Sequence, residues 1–173
     1  SDYGHGFISK KTAKIICREA KFLAINTQIN ASNIGYHTIR NYENFFILVI
    51  NEKEIRHEMR DNVSKLETLI KKISKEKKIK NIVVTSGNKG SIFYNKKKNK
   101  FFKADAYANK IVDKVGAGDT MLSVLGPCLR AGLDINTSML IGSLSAAESV
   151  ETIGNKHRIN KKIILKNLQH ILK

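Results

Sequence analysis

The chain has 173 residues, 42% of them hydrophobic and 27% charged, the composition of an ordinary globular protein long enough to bury a core. No apolar run reaches the about 20 residues of a membrane-spanning helix, and the polar, glycine-rich start Ser1-Asp2-Tyr3-Gly4-His5-Gly6 is not a secretory signal. Lys and Arg number 31 against 15 acidic residues, a net charge of +16, but they are scattered along the chain. Their densest groups, at 71–80 and 96–100, lack the interleaved aromatic side chains of a base-stacking surface. With its many Lys, Asn and Ile and a single Pro, the chain reads as the product of AT-rich coding rather than as a nucleic-acid binder. Cys17 and Cys128 sit in apolar helical patterns without ligand-spaced partners, and they read as buried free thiols in a reducing, cytoplasmic compartment.

In chain order, residues 8–20 carry apolar positions at helical spacing, with Ser9 as N-cap. Phe22 to Ile25 is a short strand that runs into the polar loop Asn26-Thr27-Gln28-Ile29-Asn30. The continuous apolar run Phe45 to Ile50 is a buried parallel strand. It ends at Asn51, and helices follow over 52–60 and 62–77. Ile82 to Thr85 is a second buried strand. Gly87 and Gly90 bracket a turn, and Ser91–Tyr94 with Phe101–Ala104 reads as a hairpin. The last third is helical: 119–131 stopped by Gly132, 137–152 stopped by Gly154, and 160–172. Strands alternating with helices predict an α/β layered fold with a mostly parallel sheet. The chain opens on a loop-like motif with no strand ahead of it, so the expectation is a C-terminal fragment whose N-terminal half lies upstream.

The chemistry is concentrated in Asp113-Lys114-Val115-Gly116-Ala117-Gly118-Asp119-Thr120. Small residues let the backbone turn tightly and approach a ligand, and the segment leads into a helix whose first N–H groups form an anion site. A carboxylate beside such a site is placed to take a proton from an attacking hydroxyl, which fits phosphoryl transfer. Read alone, the segment is more simply a helix start with Asp119 as its cap. No Walker-type Gly-Lys-Ser loop and no nucleophile-elbow triad occurs.

Asp113-x-x-Gly116-Ala117-Gly118-Asp119, followed by two long helices, resembles the C-terminal signature of the ribokinase (PfkB) carbohydrate kinases. The resemblance implies a ribokinase-like fold, with residues 1–173 forming the nucleotide-binding and catalytic part. It implies that Gly116, Ala117 and Gly118 form the anion hole, that Asp119 is the catalytic base, and that Asp113 supports the loop and a nearby monovalent cation. Asn51-x-x-Glu54 is similar to the family's Asn-x-x-Glu motif, which implies Asn51 near the phosphates and Glu54 organising Mg²⁺ through water. Thr85-Ser86-Gly87-x-x-Gly90 resembles the family's turn near ATP. Ser143, where the family commonly has Asn, and Gly154 fall in the region beside the adenine. The opening Asp2–Gly6, with His5 in place of a Lys, and the loop Asn26-Thr27-Gln28 resemble the heptose-phosphate kinase branch.

ATP and Mg²⁺ are therefore the expected cofactors. The expected partners are a sugar or sugar-phosphate substrate, the missing N-terminal half of the same kinase and a second copy in a homodimer. Neither nucleic acid nor a membrane is expected. Within the resemblance, two alternatives stay open: a nucleoside or vitamin kinase of the same fold, and a non-catalytic nucleotide-binding or basic interaction module. Because most sugar contacts of the family lie in its N-terminal half, the chain alone is expected to be inactive.

Overall fold

The computed structural model describes residues 1–29, 39–108, 110, 112–113, 115–151 and 159–171. Its elements run β1 (Ala24–Ile25), β2 (Ile47–Asn51), β3 (Asn81–Thr85), β4 (Ser91–Asn95) and β5 (Lys100–Ala104), interleaved with α1 (Lys10–Glu19), α2 (Glu52–Met59) and α3 (Leu66–Glu76), and closed by α4 (Ala117–Arg130), α5 (Ile135–Val150) and α6 (Lys161–Ile171). The five strands form one mixed sheet in the order β1-β2-β3-β4-β5. The chain divides into two compact units, residues 1–85 with 93–101, and residues 86–92 with 102–173.

In the first unit, β1, β2 and β3 run parallel, with Ala24 opposite Ile47 and Leu48 opposite Ile82. Both faces of β2 and β3 are covered, which explains their unbroken apolar runs: Ile47, Leu48, Ile82, Val83 and Val84 are fully buried. The covering residues come from helices read correctly from their periodicity. Helix α1 starts at Ser9, whose hydroxyl accepts from the Thr12 N–H at 3.1 Å, and it turns Ala13 and Cys17 inward. Helix α3 contributes Leu69, Ile70 and Ile73. It starts four residues later than its composition predicts, because the Asp61 carboxylate ties 61–64 into a turn. That carboxylate accepts from the N–H groups of Val63 and Ser64 and from the Ser64 hydroxyl. These bonds, those from Ser64 foremost, hold the Asp61 carboxyl below the ordinary carboxylate range.

The opening residues are better tied than a free loop. Asp2 forms a parallel bridge with Thr27, its N–H donating to Asn26 at 2.9 Å and its carbonyl accepting from Gln28 at 3.0 Å. Its buried carboxylate accepts from the Gly4 N–H and from the Tyr42 hydroxyl. Burial, reinforced by this carboxylate, pushes the Tyr42 phenol well above its usual range.

The second unit is dominated by a helical hairpin. Helix α4 ends in a Schellman motif: Gly132, at φ +91°, donates to Leu129 and Leu133 donates to Cys128. Two residues later Asp134 caps α5 by accepting from the Thr137 N–H at 3.0 Å. The hairpin is close because residue 142 lacks a side chain. A Cβ on Gly142 would lie 3.3 Å from the Leu125 Cβ and 3.4 Å from the Met121 sulfur. Met121, Leu122, Leu125, Met139, Leu144 and Ile164 form the core of this unit. Cys128 is half-buried rather than buried, and burial raises its thiol pKa; Cys17 is buried, and both are free thiols. Among the described residues no helix is long and apolar enough to cross a membrane.

Candidate active site

In the first unit the predicted residues gather where β2 and β3 end. Asn51 and Thr85 are register partners at the carboxyl ends of two parallel strands, the position where open α/β sheets hold ligands. Asn51 is the N-cap of α2. Its side chain accepts from the Lys53 N–H at 2.9 Å, while the Glu54 carboxylate accepts from the Asn51 N–H at 2.8 Å. Together they form a capping box. The other Glu54 oxygen faces the Ile29 N–H at 3.4 Å. The Asn-x-x-Glu spacing thus performs the local task that a polar helix start requires. Both carboxylate oxygens of Glu54 serve backbone donors, so the residue suits a water-mediated role towards Mg²⁺ better than direct ligation. Among the described residues no group of three or more His, Cys, Asp or Glu forms a metal cluster.

In the second unit Gly87 and Gly90 bracket a single 3₁₀ turn, Gly87–Lys89, closed by Gly90 N–H to Gly87 O at 3.1 Å and Ser86 N–H to Gly90 O at 2.8 Å. Gly90 sits at φ +81°, and a Cβ there would lie 2.1 Å from the Ala104 carbonyl oxygen, so no side chain fits. The Ser86 and Ser91 hydroxyls flanking this turn are buried without hydrogen-bond partners among the described residues.

The Gly-Ala-Gly-Asp segment is held from both sides. Upstream, the N–H groups of Val112 and Asp113 both donate to the Val150 carbonyl, at 2.8 and 3.1 Å, which ties the loop to the end of α5. The Asp113 carboxylate accepts from the Val115 N–H at 2.9 Å. Gly116 then takes the left-handed conformation, φ +88° and ψ −8°, as N-cap of α4. A side chain there would be strained, which is why a glycine stands at this point. Helix geometry leaves the first N–H groups of α4 without intrahelical acceptors, and Ala117 and Gly118 have no backbone acceptor among the described residues. Asp119 follows as the third residue of the helix, half-buried, with its Oδ1 buried. The helix dipole favours negative charge at this end.

Ser143 is buried in α5 beside Gly142. Gly154 lies outside the described residues, as does Lys114. Two polar features escaped the sequence reading, because each joins residues far apart in the chain. They are the Asp2–Tyr42 hydrogen bond and an ion pair between Arg40 and the buried Glu58.

A left-handed glycine thus opens α4 with a carboxylate in its first turn, in an α/β protein with parallel central strands. Comparison with known proteins makes this specific. The pfkB family carbohydrate kinase profile matches residues 9–162, and the chain belongs to that family. The bifunctional protein HldE of Campylobacter concisus is 33% identical over 159 residues, which is 90% of this chain and 32% of that protein. HldE of Campylobacter curvus is 32% identical over 158 residues, with the same coverage. The chain thus spans about a third of the length of these relatives.

Among solved structures, the chain resembles an Escherichia coli protein described as a putative ribokinase II in complex with ATP and Mg²⁺ (TM-score 0.75, 22% identity, 93% of this chain and 53% of that one). It also resembles Arabidopsis thaliana ribokinase complexed with ribose and ATP (0.73, 20%, 92% and 51%) and E. coli phosphofructokinase-2 in complex with potassium (0.74, 14%, 95% and 52%). At these identities the likeness is one of fold, and the fold is ribokinase-like.

Proposed function

We propose that residues 1–173 are the nucleotide-binding and catalytic part of a cytoplasmic, ATP-dependent kinase that phosphorylates a hydroxyl of a sugar phosphate, with heptose phosphate as the substrate class. The observation that carries this reading is left-handed Gly116 leading into α4 with Asp119 in its first turn. The similarity to HldE and the opening Asp2–Gly6 loop support the heptose-phosphate branch. The complexes of the structural neighbours with ATP, Mg²⁺ and potassium support the choice of cofactors.

In this reading the N–H groups of Gly116, Ala117 and Gly118 hold the oxygens of the phosphoryl group in transfer, at the positive end of α4. Asp119 removes the proton of the attacking hydroxyl as the new O–P bond forms and the bond to the departing diphosphate breaks. Bound ATP with Mg²⁺ supplies the phosphoryl group and neutralises its charge. Glu54 orders water around the metal, and Asn51 lies towards the phosphates. Thr85, Gly87, Gly90 and Ser143 shape the nucleotide side, Gly154 belongs to the same side, and Asp113 holds the loop and a monovalent cation. Sugar contacts are left to an upstream half, so the 173 residues alone do not turn over.

The test is to fuse the chain to the upstream kinase half of the C. concisus relative and to follow ADP release. ATP turnover that depends on both Mg²⁺ and a heptose phosphate is expected from the fusion and not from the chain alone. A folded fusion that binds ATP yet transfers to no sugar phosphate contradicts the substrate assignment. One that binds no ATP contradicts the kinase reading itself.

A further inference from the structure

Asp2 is where three segments of the first unit meet. The residue is 6% exposed. Its carboxylate accepts from the Gly4 N–H at 3.0 Å and from the Tyr42 hydroxyl. Its main chain brackets residues 26–28, donating to the Asn26 carbonyl at 2.9 Å and accepting from the Gln28 N–H at 3.0 Å. Asn26, itself buried, accepts from the Ser1 hydroxyl at 3.3 Å and donates to the Val49 carbonyl of β2 at 3.1 Å. The N–H of the next residue, Ile29, faces Glu54 Oε1 at 3.4 Å, while Oε2 accepts from the Asn51 N–H at 2.8 Å. A run of hydrogen bonds, broken only by the peptide link from Gln28 to Ile29, thus leads from Tyr42 through Asp2 to Glu54.

The run ends at the candidate site. The bridge from Asp2 to Thr27 lies just past the end of β1, on the same carboxyl side of the sheet as Asn51. A buried hydroxyl–carboxylate bond adds only modest net stability, because folding exchanges it for bonds to water, but it fixes two groups in one geometry. Burial, reinforced by the Asp2 carboxylate, holds the Tyr42 phenol in its protonated, donating form. Glu54 depends on such fixing. Its two oxygens serve donors from two different segments, and only the Asn51 N–H belongs to the start of α2. The place of the Ile29 N–H is set by what anchors residues 26–28, which is Asp2 together with the Asn26–Val49 bond.

We infer, on the reading that Glu54 orders water around Mg²⁺, that Tyr42 is a positioning residue of the phosphoryl-transfer site, holding residues 26–29 through Asp2 so that the Ile29 N–H orients the Glu54 carboxylate. Without the Tyr42 hydroxyl, Asp2 loses a donor, the Ile29 N–H moves from Oε1, and Glu54 turns about its remaining bond to Asn51.

The test sets Tyr42→Phe beside Tyr94→Phe, with melting curves on both. Tyr94 is a buried phenol whose hydroxyl meets the Asn99 side chain at 3.1 Å, so the control loses the same chemical group elsewhere in the first unit. In the 173-residue chain, amide exchange at Gln28 and Ile29 should quicken about tenfold in Tyr42→Phe, the size of one lost hydrogen bond, and not in Tyr94→Phe. In the fused kinase the Mg²⁺ concentration at half-maximal rate should rise about threefold or more, less than the 10–100-fold cost of losing a direct partner of a metal ligand. The kcat at saturating Mg²⁺ should stay within about twofold, since Tyr42 touches no reacting atom. Adding Tyr42→Phe to Asp2→Ala should make the Mg²⁺ requirement no worse than Asp2→Ala alone, because the two residues act as one unit.

Should Tyr42→Phe not fold, Asp2→Asn replaces it. That change keeps the shape and weakens the bond from Tyr42 by removing the charge, and smaller shifts of the same sign are expected. An unchanged Mg²⁺ requirement in an active Tyr42→Phe kinase, an equal change in Tyr94→Phe, or unchanged exchange at Gln28 and Ile29 each overturns the inference. An inactive parent fusion removes the kinase reading instead, and the exchange pattern alone then decides whether Tyr42 sets the place of Ile29.

Discussion

The parallel pair β2–β3 and the segment from Val112 to Asp119 are built on opposite principles. In β2 and β3 the side chains fix the structure: Leu48, Ile82, Val83 and Val84 are wholly buried, and the backbone follows from where they pack. In the segment hydrogen bonds fix the backbone and apolar packing matters little. Val112 and Val115 are 40% and 67% exposed, while the chain is held by the paired donation to Val150 and by the Asp113 carboxylate. The difference teaches where each region is vulnerable. A core strand fails when volume is removed. A turn held by backbone hydrogen bonds fails when a dihedral angle becomes unavailable.

That contrast can be broken or sharpened by substitution. Ile82→Ala should have the largest effect on stability, a loss of about 2–5 kcal/mol in urea unfolding, because the cavity opens between two covered sheet faces. Gly116→Ala removes no buried surface, yet the left-handed conformation should cost it about 1–2 kcal/mol. A Gly116→Ala protein as stable as the parent would mean that the turn has another conformation. Val115→Thr, one residue earlier, should change stability by less than about 0.5 kcal/mol, since the side chain is exposed and only its N–H is used. A large loss from that change would show that side-chain packing, not the backbone, holds the segment.

Much of this was legible in the sequence, for identifiable reasons. Periodicity and end signals located α1 with its Ser9 cap, the α4 stop at Gly132 and the two buried strands. The tight turn at Gly116 was legible because the residue type reports a dihedral demand. Boundaries set by side-chain capping were missed: Asp134 starts α5 two residues before the predicted position, and Asp61 delays α3. The strand predicted over 22–25 shrinks to Ala24–Ile25. Long-range pairings left no local trace. The bridge from Asp2 to Thr27, its hydrogen bond from Tyr42 and the Arg40–Glu58 pair each join residues that only the fold brings together. The lysines at 71–80 showed the same limit. Read along the chain they are a basic helix end, and only folding sets Lys72 and Lys77 beside Arg40 and Arg60.

The central claim is that the carboxylate in the first turn of α4 performs chemistry rather than only stabilising a helix start that Gly116, not Asp119, caps, and Asp119→Asn in the fused kinase tests it most directly. Asparagine is isosteric, and at the third position of α4 loss of the carboxylate charge should cost only about 0.3–1 kcal/mol, so the fold and ATP affinity should be kept. The account predicts a fall in kcat of about 10²–10⁴-fold, the range of a general-base contribution, with little change in the KM for ATP. An Asp119→Asn enzyme that melts like the parent and keeps more than about a tenth of its kcat would contradict the account and leave Asp119 a structural residue.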